Sequence, residues 1–447
     1  MREEILAEAR KAAEEAELFS VTAEETQVHF ETNRLKRIQT RQATSLALRV
    51  VKDGRIGFSL TTDTSRPQEL IDSALETARF GMAARFVLPG PTVYALTQVH
   101  DAAVGEVPLE NMVRLGQEMI EAIRAHTPEV ICEAGVSWAI LTVQIMNSRG
   151  GQAAYSKSIF SLGIEGTLIR GTDMLFVGES ESSCHPLTET KGITGSVIRQ
   201  LELAREQVPI SSGELPVIFT PHGVASVLMP SLMAGFNGKM VLEGASPLGG
   251  RLGQAAFDSK FWLYDDATVP YQPQSRPCDD EGVPSQRTGL VEGGRIAGFL
   301  YDLQTAALAG TRSTGSAGRA RGGLPSPSPS AFIIAPGRTS FEEMLQDVRE
   351  GLVIEQVLGA EQGNILGGDF GGNVLLGYKI DKGKITGRVK NTMITGNVYE
   401  ALKDIVAIGS EARWVGGSIH TPPICCPRIS VAAKPAPSET ASERGMP

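Results

Sequence analysis

Three short turn sequences, each set between runs of apolar residues, constrain this chain more than any other feature. They are Asp53-Gly54, Glu292–Arg295 and Asp381–Lys384. Asp-Gly and Gly-Gly pairs adopt the left-handed backbone conformations that tight hairpins need, so they join antiparallel neighbours. Before the first turn, apolar and polar residues alternate with a period of two, which is typical of a strand. The chain is therefore predicted to be rich in antiparallel β-structure, beginning with a strand meander over residues 25–61.

Apolar residues at helical spacing predict helices as well. The predicted helices cover residues 1–19, 67–85, 108–125 and 340–351. Ser65 with Gln68, and Ser340 with Glu343, have the spacing of a capping box, in which side chains bind the free N–H groups of the first helical turn. Helices and a strand meander in the same chain indicate the α+β class.

A polar stretch, residues 179–214, divides the predicted elements into two parts. We place a domain boundary at its end, which gives an N-terminal domain over 1–213 and a strand-rich C-terminal domain over 214–433. The last residues, 434–447, are rich in Pro, Ser, Ala and Glu and are predicted to be disordered. A Gly-, Pro- and Ser-rich stretch, 322–330, is predicted to be a flexible loop inside the second domain.

Charge and cysteine content argue against several classes of protein. The chain has 51 acidic and 42 basic residues and a formal net charge of -9. This disfavours nucleic acid as a partner, because phosphate binding depends on Lys and Arg. Five scattered cysteines favour a reduced, cytoplasmic protein. We expect no secretory signal at the charged N-terminus, and no membrane as a partner, since no apolar run approaches the ~18 residues that a bilayer requires.

Several short motifs occur in one order along the chain: Leu215–Phe219, Gly244–Leu248, Asp280–Pro284, Ser313–Gly315, Gly367–Phe370 and Thr395–Asn397. In sequence and order they resemble the TldD/PmbA family of two-subunit zinc peptidases, which has also been described as a modulator of DNA gyrase. The resemblance implies an N-terminal α/β domain with a meander and flanking helices, and a C-terminal mainly β domain. It also implies dimers around a chamber, in which an unfolded peptide binds like an added strand.

The zinc motif of the catalytic members is missing from this chain. The resemblance implies that TldD carries His-Glu-x-x-x-His and a distant Cys, which hold zinc and activate a bound water. Counted from the strand at Pro216, the same slot holds Met229, Pro230 and Ala234 in place of the two ligands and the base. The chain in this respect resembles PmbA, also called TldE, the partner that lacks the ligands. We therefore expect no catalytic residue and no metal in this chain, and zinc in a TldD-like partner.

Two glycine-containing segments supply the candidate substrate-binding residues. These are Asp280, Glu281, Gly282, Gly367, Gly368, Asp369 and Phe370. The acidic cluster can instead fix a turn through hydrogen bonds from backbone N–H groups. The second segment lacks the Gly-Lys-Ser/Thr ending of a phosphate-binding loop, so a backbone path beside a bound peptide is favoured over a nucleotide site.

Some single residues allow a functional and a structural interpretation. His222 is either a ligand or base, or a loop histidine near the core; no acidic or Cys partner lies at motif spacing, which favours the second. Cys425 and Cys426, near His420, are either metal ligands or small strand residues, and their adjacency favours the second.

A basic loop lies beside the Ser313–Gly315 motif. Its arginines are Arg312, Arg319 and Arg321. They either steer an acidic peptide or form a solvated basic surface.

Together these observations favour a PmbA/TldE-like, non-catalytic subunit of a zinc metallopeptidase that processes unfolded peptides. Its expected partner is a TldD-like catalytic subunit in a heterodimer, or a second copy in a homodimer. Two alternatives stay open: an independent metallopeptidase-family hydrolase that acts as a homodimer, and a regulatory binding protein linked to DNA gyrase or toxin–antitoxin control.

Overall fold

The structure is a computed structural model that describes residues 2–434, the side chain of Arg321 excepted. The helices are α1 (Arg2–Ala9), α2 (Pro67–Thr77), α3 (Leu109–His126), α4 (Lys191–Leu203), α5 (Pro221–Gly223), α6 (Met229–Gly235), α7 (Gly238–Leu242), α8 (Leu303–Leu308), α9 (Phe341–Gln346) and α10 (Val398–Ala401). The first strands are β1 (Glu15–Glu31), β2 (Arg34–Lys52), β3 (Arg55–Thr61), β4 (Ile131–Asn147), β5 (Gln152–Arg170), β6 (Asp173–Ser183), β7 (Gly213–Phe219), β8 (Leu263–Asp266), β9 (Arg287–Glu292) and β10 (Arg295–Ile296). The remaining strands are β11 (Ala317–Gly318), β12 (Ser326–Pro327), β13 (Phe332–Ile334), β14 (Glu350–Leu358), β15 (Asp369–Asp381), β16 (Lys384–Arg388), β17 (Thr392–Asn397), β18 (Ala407–Ile408), β19 (Arg413–Val415), β20 (Ile419–Thr421) and β21 (Ile424–Ala433).

The first six strands form one antiparallel sheet in the order β3-β2-β1-β4-β5-β6. The predicted meander and its hairpin at Asp53-Gly54 are confirmed, since both turn residues have positive φ, 51° and 67°. A second tight turn, at Thr32-Asn33, has φ of 52° and 64° and joins β1 to β2. The predicted disordered tail, 434–447, lies outside the described residues except for Lys434.

Three helix predictions were too long, and several helices, α4 among them, were not predicted. Helix α9 ends at Gln346 instead of residue 351, because the chain from Glu350 onward forms β14. Helix α1 ends at Ala9, because the chain from Glu15 onward pairs with β2 and buries Ala16 and Leu18 in a strand pattern. Helix α2 ends at Thr77 in a short 3-10 turn. Helix α4 lies inside the polar stretch that was predicted to separate two domains.

One of the two predicted capping boxes is present. The Ser340 hydroxyl accepts from the Glu343 backbone N–H at 3.2 Å, and the Glu343 carboxylate accepts from the Ser340 backbone N–H at 2.7 Å. The other is wrong, because Ser65 bonds the carboxylate of Asp63 at 2.5 Å and α2 begins at Pro67 without a side-chain cap. The fixed φ of proline suits the first helical turn, so this helix needs no such cap.

Five strands of the second half close into a barrel. The pairs β14–β7, β7–β21, β21–β17, β17–β15 and β15–β14 complete the ring, and only β14–β7 is parallel. Alternate residues face two different apolar cores: Val217 and Phe219 belong to one and Ile218 to the other. A mixed sheet, β10-β9-β8-β13-β20-β19, shares the first of these cores through Leu263 and Phe332. The loop predicted over 322–330 contains β12, which pairs with β11.

The second apolar core joins both halves of the chain. It contains Met112 and Met119 of α3, Val197 of α4, Val136 of β4 and Val353 of β14. Helices α3 and α4 thus bury apolar faces in a core shared by the first sheet and the barrel, so either half alone would expose this surface to water. Among residues 2–434, no helix is long and apolar enough to cross a bilayer.

Close packing of α3 on the first sheet gives a testable consequence. A Cβ on Gly116 would lie 2.2 Å from a ring carbon of Phe30, which is buried. We expect Gly116→Ala to destabilise the protein by about 1–3 kcal/mol, because overlap in a packed core outweighs the gain in helix propensity. The matched control is Gly195→Ala in α4, where a Cβ meets no atom within 4 Å. This change should stabilise the protein by up to about 1 kcal/mol in chemical denaturation; equal stability of the two variants would contradict the packing.

Candidate functional site

The residues predicted to occupy the slot of the missing zinc motif, Met229, Pro230 and Ala234, lie on a continuous helical segment. It comprises α5, a π-helical turn over Val224–Leu228 and α6. Met229 is fully buried in the apolar core that also contains Val217 and Phe219, and Pro230 lies in the first turn of α6. None of Met229, Pro230 and Ala234 carries an imidazole, carboxylate or thiolate, the donors that hold catalytic zinc. The donor set at this slot therefore does not fit the metal, and we derive no chemistry through it.

The Gly367–Phe370 segment lies against this slot. The Tyr399 hydroxyl is 3.0 Å from the carbonyl oxygen of Ser231 in α6 and 3.2 Å from that of Leu366. Gly368 has φ of 88°, and a Cβ there would lie 2.5 Å from the Tyr399 ring, so only glycine fits. The structure thus brings two separately predicted features together through Tyr399.

Asn397 fixes the same segment from the other side. Its side-chain amide donates to the Gly367 carbonyl at 2.7 Å and to the Asp369 carboxylate at 2.8 Å. Asp369 is exposed, whereas Phe370 is buried and meets Phe219 edge to face at 6.3 Å. Sequence reasoning missed the roles of Asn397 and Tyr399, although Asn397 ended one of the motifs that carried the family resemblance.

The other candidate residues lie in a buried turn. The backbone N–H groups of Glu281, Val283 and Ala317 donate to the carboxylate of Asp279 at 2.9–3.0 Å. Gly282 has φ of 75°, which the tight turn requires, and its carbonyl accepts from the Tyr94 hydroxyl at 3.0 Å. This geometry supports the structural interpretation of the acidic cluster. Loss of water raises the pKa of Asp279 above its ordinary value, although the charge of Arg276 opposes the shift.

Glu281 belongs to an ion network that joins the two halves. The Arg49 guanidinium of β2 donates to Glu17 of β1 at 2.5 Å and to Glu281 at 2.6 Å. Arg319 pairs with the other oxygen of Glu17. All four side chains are at most 3% exposed. Arg319 is therefore neither a solvated residue nor free to steer a peptide, while the side chain of Arg321 lies outside the described structure.

Asp280 adjoins the network. Its carboxylate accepts from the Arg276 side chain at 3.2 Å and from the Arg319 backbone N–H at 2.8 Å. Within residues 2–434, no hydrogen bond links this turn to the Gly367–Phe370 segment. The seven candidate residues therefore occupy two places, and their assignment to substrate binding stays a prediction.

A cavity of about 750 Å³ lies beside the first sheet. It is lined by residues of β1, β4, β5 and β6, and by His222, Gln356 and Leu375 from the second half of the chain. Both oxygens of Glu179 lie close to His222 Nε2, at 3.0 and 3.2 Å. His222 therefore has an acidic partner, which sequence spacing could not reveal because the two residues lie 43 positions apart.

Glu179 collects two further donors at the wall of this cavity. Arg413 donates to its carboxylate at 3.1 Å and Ser196 of α4 at 2.9 Å. Burial alone would raise the pKa of Glu179, but the hydrogen bond and charge of His222, helped by Arg413 and Ser196, bring it down to about 2. The fully paired carboxylate holds β6, α4 and the second half of the chain together.

The cysteines give no metal site in the described part of the chain. Cys425 and Cys426 are consecutive residues of β21 and face different cores, so they cannot chelate one ion. All five cysteines are buried and free. Residues 2–434 contain no group of three or more His, Cys, Asp or Glu that could hold a metal ion.

Comparisons with known proteins place this geometry in a family. The sequence pattern of the PmbA/TldA metallopeptidase C-terminal domain matches residues 212–433, and that of PmbA/TldA metallopeptidase domain 1 matches residues 16–79. The chain belongs to the PmbA/TldD family. The motifs quoted from the sequence lie largely within these matches, so the predicted family is confirmed.

Relatives extend the likeness over nearly the whole chain. An uncharacterized protein of Methanocaldococcus jannaschii is 26% identical over 412 residues, which cover 91% of this chain and 94% of that protein. A metalloprotease of Methanothermobacter thermautotrophicus is 24% identical over 424 residues, 92% of this chain and 91% of that protein. The crystal structure of TldE from Thermococcus kodakarensis superposes with a TM-score of 0.86 and 24% identity, covering 96% of this chain and 99% of that one. At this identity the structural likeness establishes the fold, and with it the α+β class.

The buried ion network predicts a large effect of one substitution. Arg49→Met would leave Glu17 and Glu281 buried without their shared cation, which costs about 3–5 kcal/mol of unfolding free energy. Arg41→Met on the same strand is the matched control, because Arg41 is 67% exposed and its pair with Glu25 contributes at most about 1 kcal/mol. Chemical denaturation measures both. Similar losses in the two variants would show that the network does not hold the halves together.

The low pKa of Glu179 predicts an acid-dependent contribution to stability. Its folded pKa of about 2 lies below the ordinary 4.5, so the unfolded chain takes up this proton first. The contribution is complete above about pH 4.5 and is lost as the pH falls toward about 2. Between about pH 6 and pH 3, we expect wild type to lose about 2 kcal/mol more than Glu179→Gln. Glu181→Gln, an exposed change on the same strand, should follow wild type; parallel curves for wild type and Glu179→Gln would contradict the assignment.

Proposed function

We propose that this chain is a PmbA/TldE-like, non-catalytic subunit of a metallopeptidase that processes unfolded peptides. One observation supports the proposal most: the helical segment predicted to occupy the position of the family's zinc motif carries Met229, Pro230 and Ala234. These side chains offer no zinc donor, and Met229 is committed to the apolar core. The hydrolytic metal then belongs to a TldD-like partner.

We expect this chain to contribute a surface for an extended peptide and one wall of an enclosed chamber, and no catalytic group. Its cavity beside the first sheet, about 750 Å³, and the glycine segment against α6 offer room in which an extended peptide could lie. The exposed Asp369 and the half-buried Gly367 are the part of the second segment open to a ligand, whereas Gly368 and Phe370 are buried. Enclosure between two subunits would admit unfolded chains and exclude folded ones.

The partner and the compartment follow from the same reasoning. We propose a heterodimer with a TldD-like zinc subunit, with a homodimer when that subunit is absent. Five free, buried cysteines support a reducing, cytoplasmic setting. The alternative of an independent hydrolase needs a ligand cluster, and none is found within residues 2–434. The alternative of a regulatory protein linked to DNA gyrase is less favoured where it requires direct DNA binding, because the formal net charge is -9.

Mixing experiments test the proposal directly. This chain, a TldD-like subunit that carries His-Glu-x-x-x-His, and their co-expressed mixture are each incubated with an unstructured peptide. We expect efficient cleavage by the mixture and none by this chain alone, because the zinc-bound water resides in the partner. A partner whose motif Glu is replaced by Gln provides the control and should leave the mixture inactive. Chelator-sensitive cleavage by this chain alone would contradict the proposal.

A further inference from the structure

The outer edge of β2 is open over its first ten residues. Strand β3 pairs with β2 only from Leu46 onward, so Arg34–Ala43 is bonded to β1 on one side and to no strand on the other. All ten of these residues are exposed. An open strand edge presents a row of unpaired N–H and C=O groups, which is a template for another strand.

At the opposite edge of the same sheet, side chains form hydrogen bonds with backbone groups of β6. On β6, the Gln200 side chain donates to the Gly178 carbonyl at 3.0 Å and accepts from the Gly178 N–H at 2.9 Å. Arg388 donates to the Met174 carbonyl at 3.2 Å. Side chains thus cover backbone groups on one edge, whereas no hydrogen bond from within residues 2–434 covers the outer edge of Arg34–Ala43.

The open edge is basic. It carries Arg34, Lys36, Arg37 and Arg41 and no acidic residue. Lys36 and Arg41 pair with acidic residues of the neighbouring β1, at 3.6 and 2.7 Å. Arg34 and Arg37 form no ion pair with any described residue and are exposed. Two cations are therefore left for a ligand that lies along this edge.

We propose that an extended, acidic peptide docks on the Arg34–Ala43 edge as an added antiparallel strand. Main-chain hydrogen bonds to β2 would supply affinity, and Arg34 and Arg37 would select Asp and Glu side chains. A second copy of this chain is the less suitable occupant, since pairing two such edges would bring the four cations of each together. The inference rests on the proposed function, and it assigns to that function a preferred class of substrate.

Peptide binding by the full chain alone tests the assignment. The probe is a fluorescent ten-residue peptide of Thr, Val and Glu, measured by fluorescence anisotropy at low salt. Three matched peptides are compared with it. One replaces Glu by Gln. The other two carry N-methyl groups on alternate backbone nitrogens, one peptide on each of its two strand edges. We expect the Glu peptide to bind at least about tenfold more tightly than the Gln peptide. One of the two methylated forms should lose binding, because its strand-facing N–H groups are gone.

Charge reversal locates the site. Arg34→Glu combined with Arg37→Glu should weaken binding of the Glu peptide at least about tenfold. The matched control combines Arg79→Glu with Arg205→Glu, two exposed arginines outside the first sheet, and should stay within about twofold. Circular dichroism and denaturation of the variants show that the fold is retained.

Several outcomes would overturn the inference. They are equal binding of the Glu and Gln peptides, full binding by both methylated forms, and unchanged binding after the double reversal at β2. A wild-type dimer that the same reversal dissociates, together with no peptide binding, would assign the edge to a second copy instead. The peptide-binding assay needs no partner and no cleavage, so its result is independent of the mixing experiment. If the peptide fails to bind but the mixture cleaves, only the assignment of the β2 edge is wrong. If the peptide binds but the mixture does not cleave, only the proposed function is wrong.

Discussion

The pairing of the Arg49 guanidinium with two buried carboxylates is the interaction on which the arrangement of the two halves depends. Glu17 lies on β1 of the first sheet, whereas Glu281 lies in a turn of the second half. A buried charge without its partner is far more costly than a missing surface contact, so these groups tolerate little displacement. The network therefore fixes the register of the first sheet against the turn that Asp279 organises.

The apolar core around α3 and α4 acts together with these ions. This core buries apolar surface, but it does little to fix the relative orientation of the two halves, because apolar contacts accept many orientations. The ion network and the Glu179–His222 pair fix this orientation, because they join the halves at two separate places. The cavity beside the first sheet and the placement of the glycine segment against α6 are consequences of this fixed arrangement.

The sequence predicted those parts of the fold that short-range chemistry decides. The backbone preferences of Asp53-Gly54 favour a tight hairpin, and the four-residue spacing of Ser340 and Glu343 is enough to indicate a helix cap. Helix α4 was hidden by its polar surroundings, and closure of the barrel by β14 and β15 joins residues without any shared local pattern. At the site, the expectation that this chain lacks zinc donors rests on a motif and stays a prediction. The partners of His222 and Glu281 could not be predicted, because they lie far along the chain and are set by the fold.

The proposed role of this chain requires that it has no donor set for a hydrolytic metal and that a partner subunit binds this metal instead. The most direct measurement is the zinc content of the purified full chain, compared with that of its complex with a TldD-like subunit. We expect zinc far below one equivalent in the chain alone and about one equivalent in the complex, bound within the TldD-like subunit. Stoichiometric zinc in the chain alone, retained through dialysis and lost when its own histidines or cysteines are replaced, would contradict the proposed role.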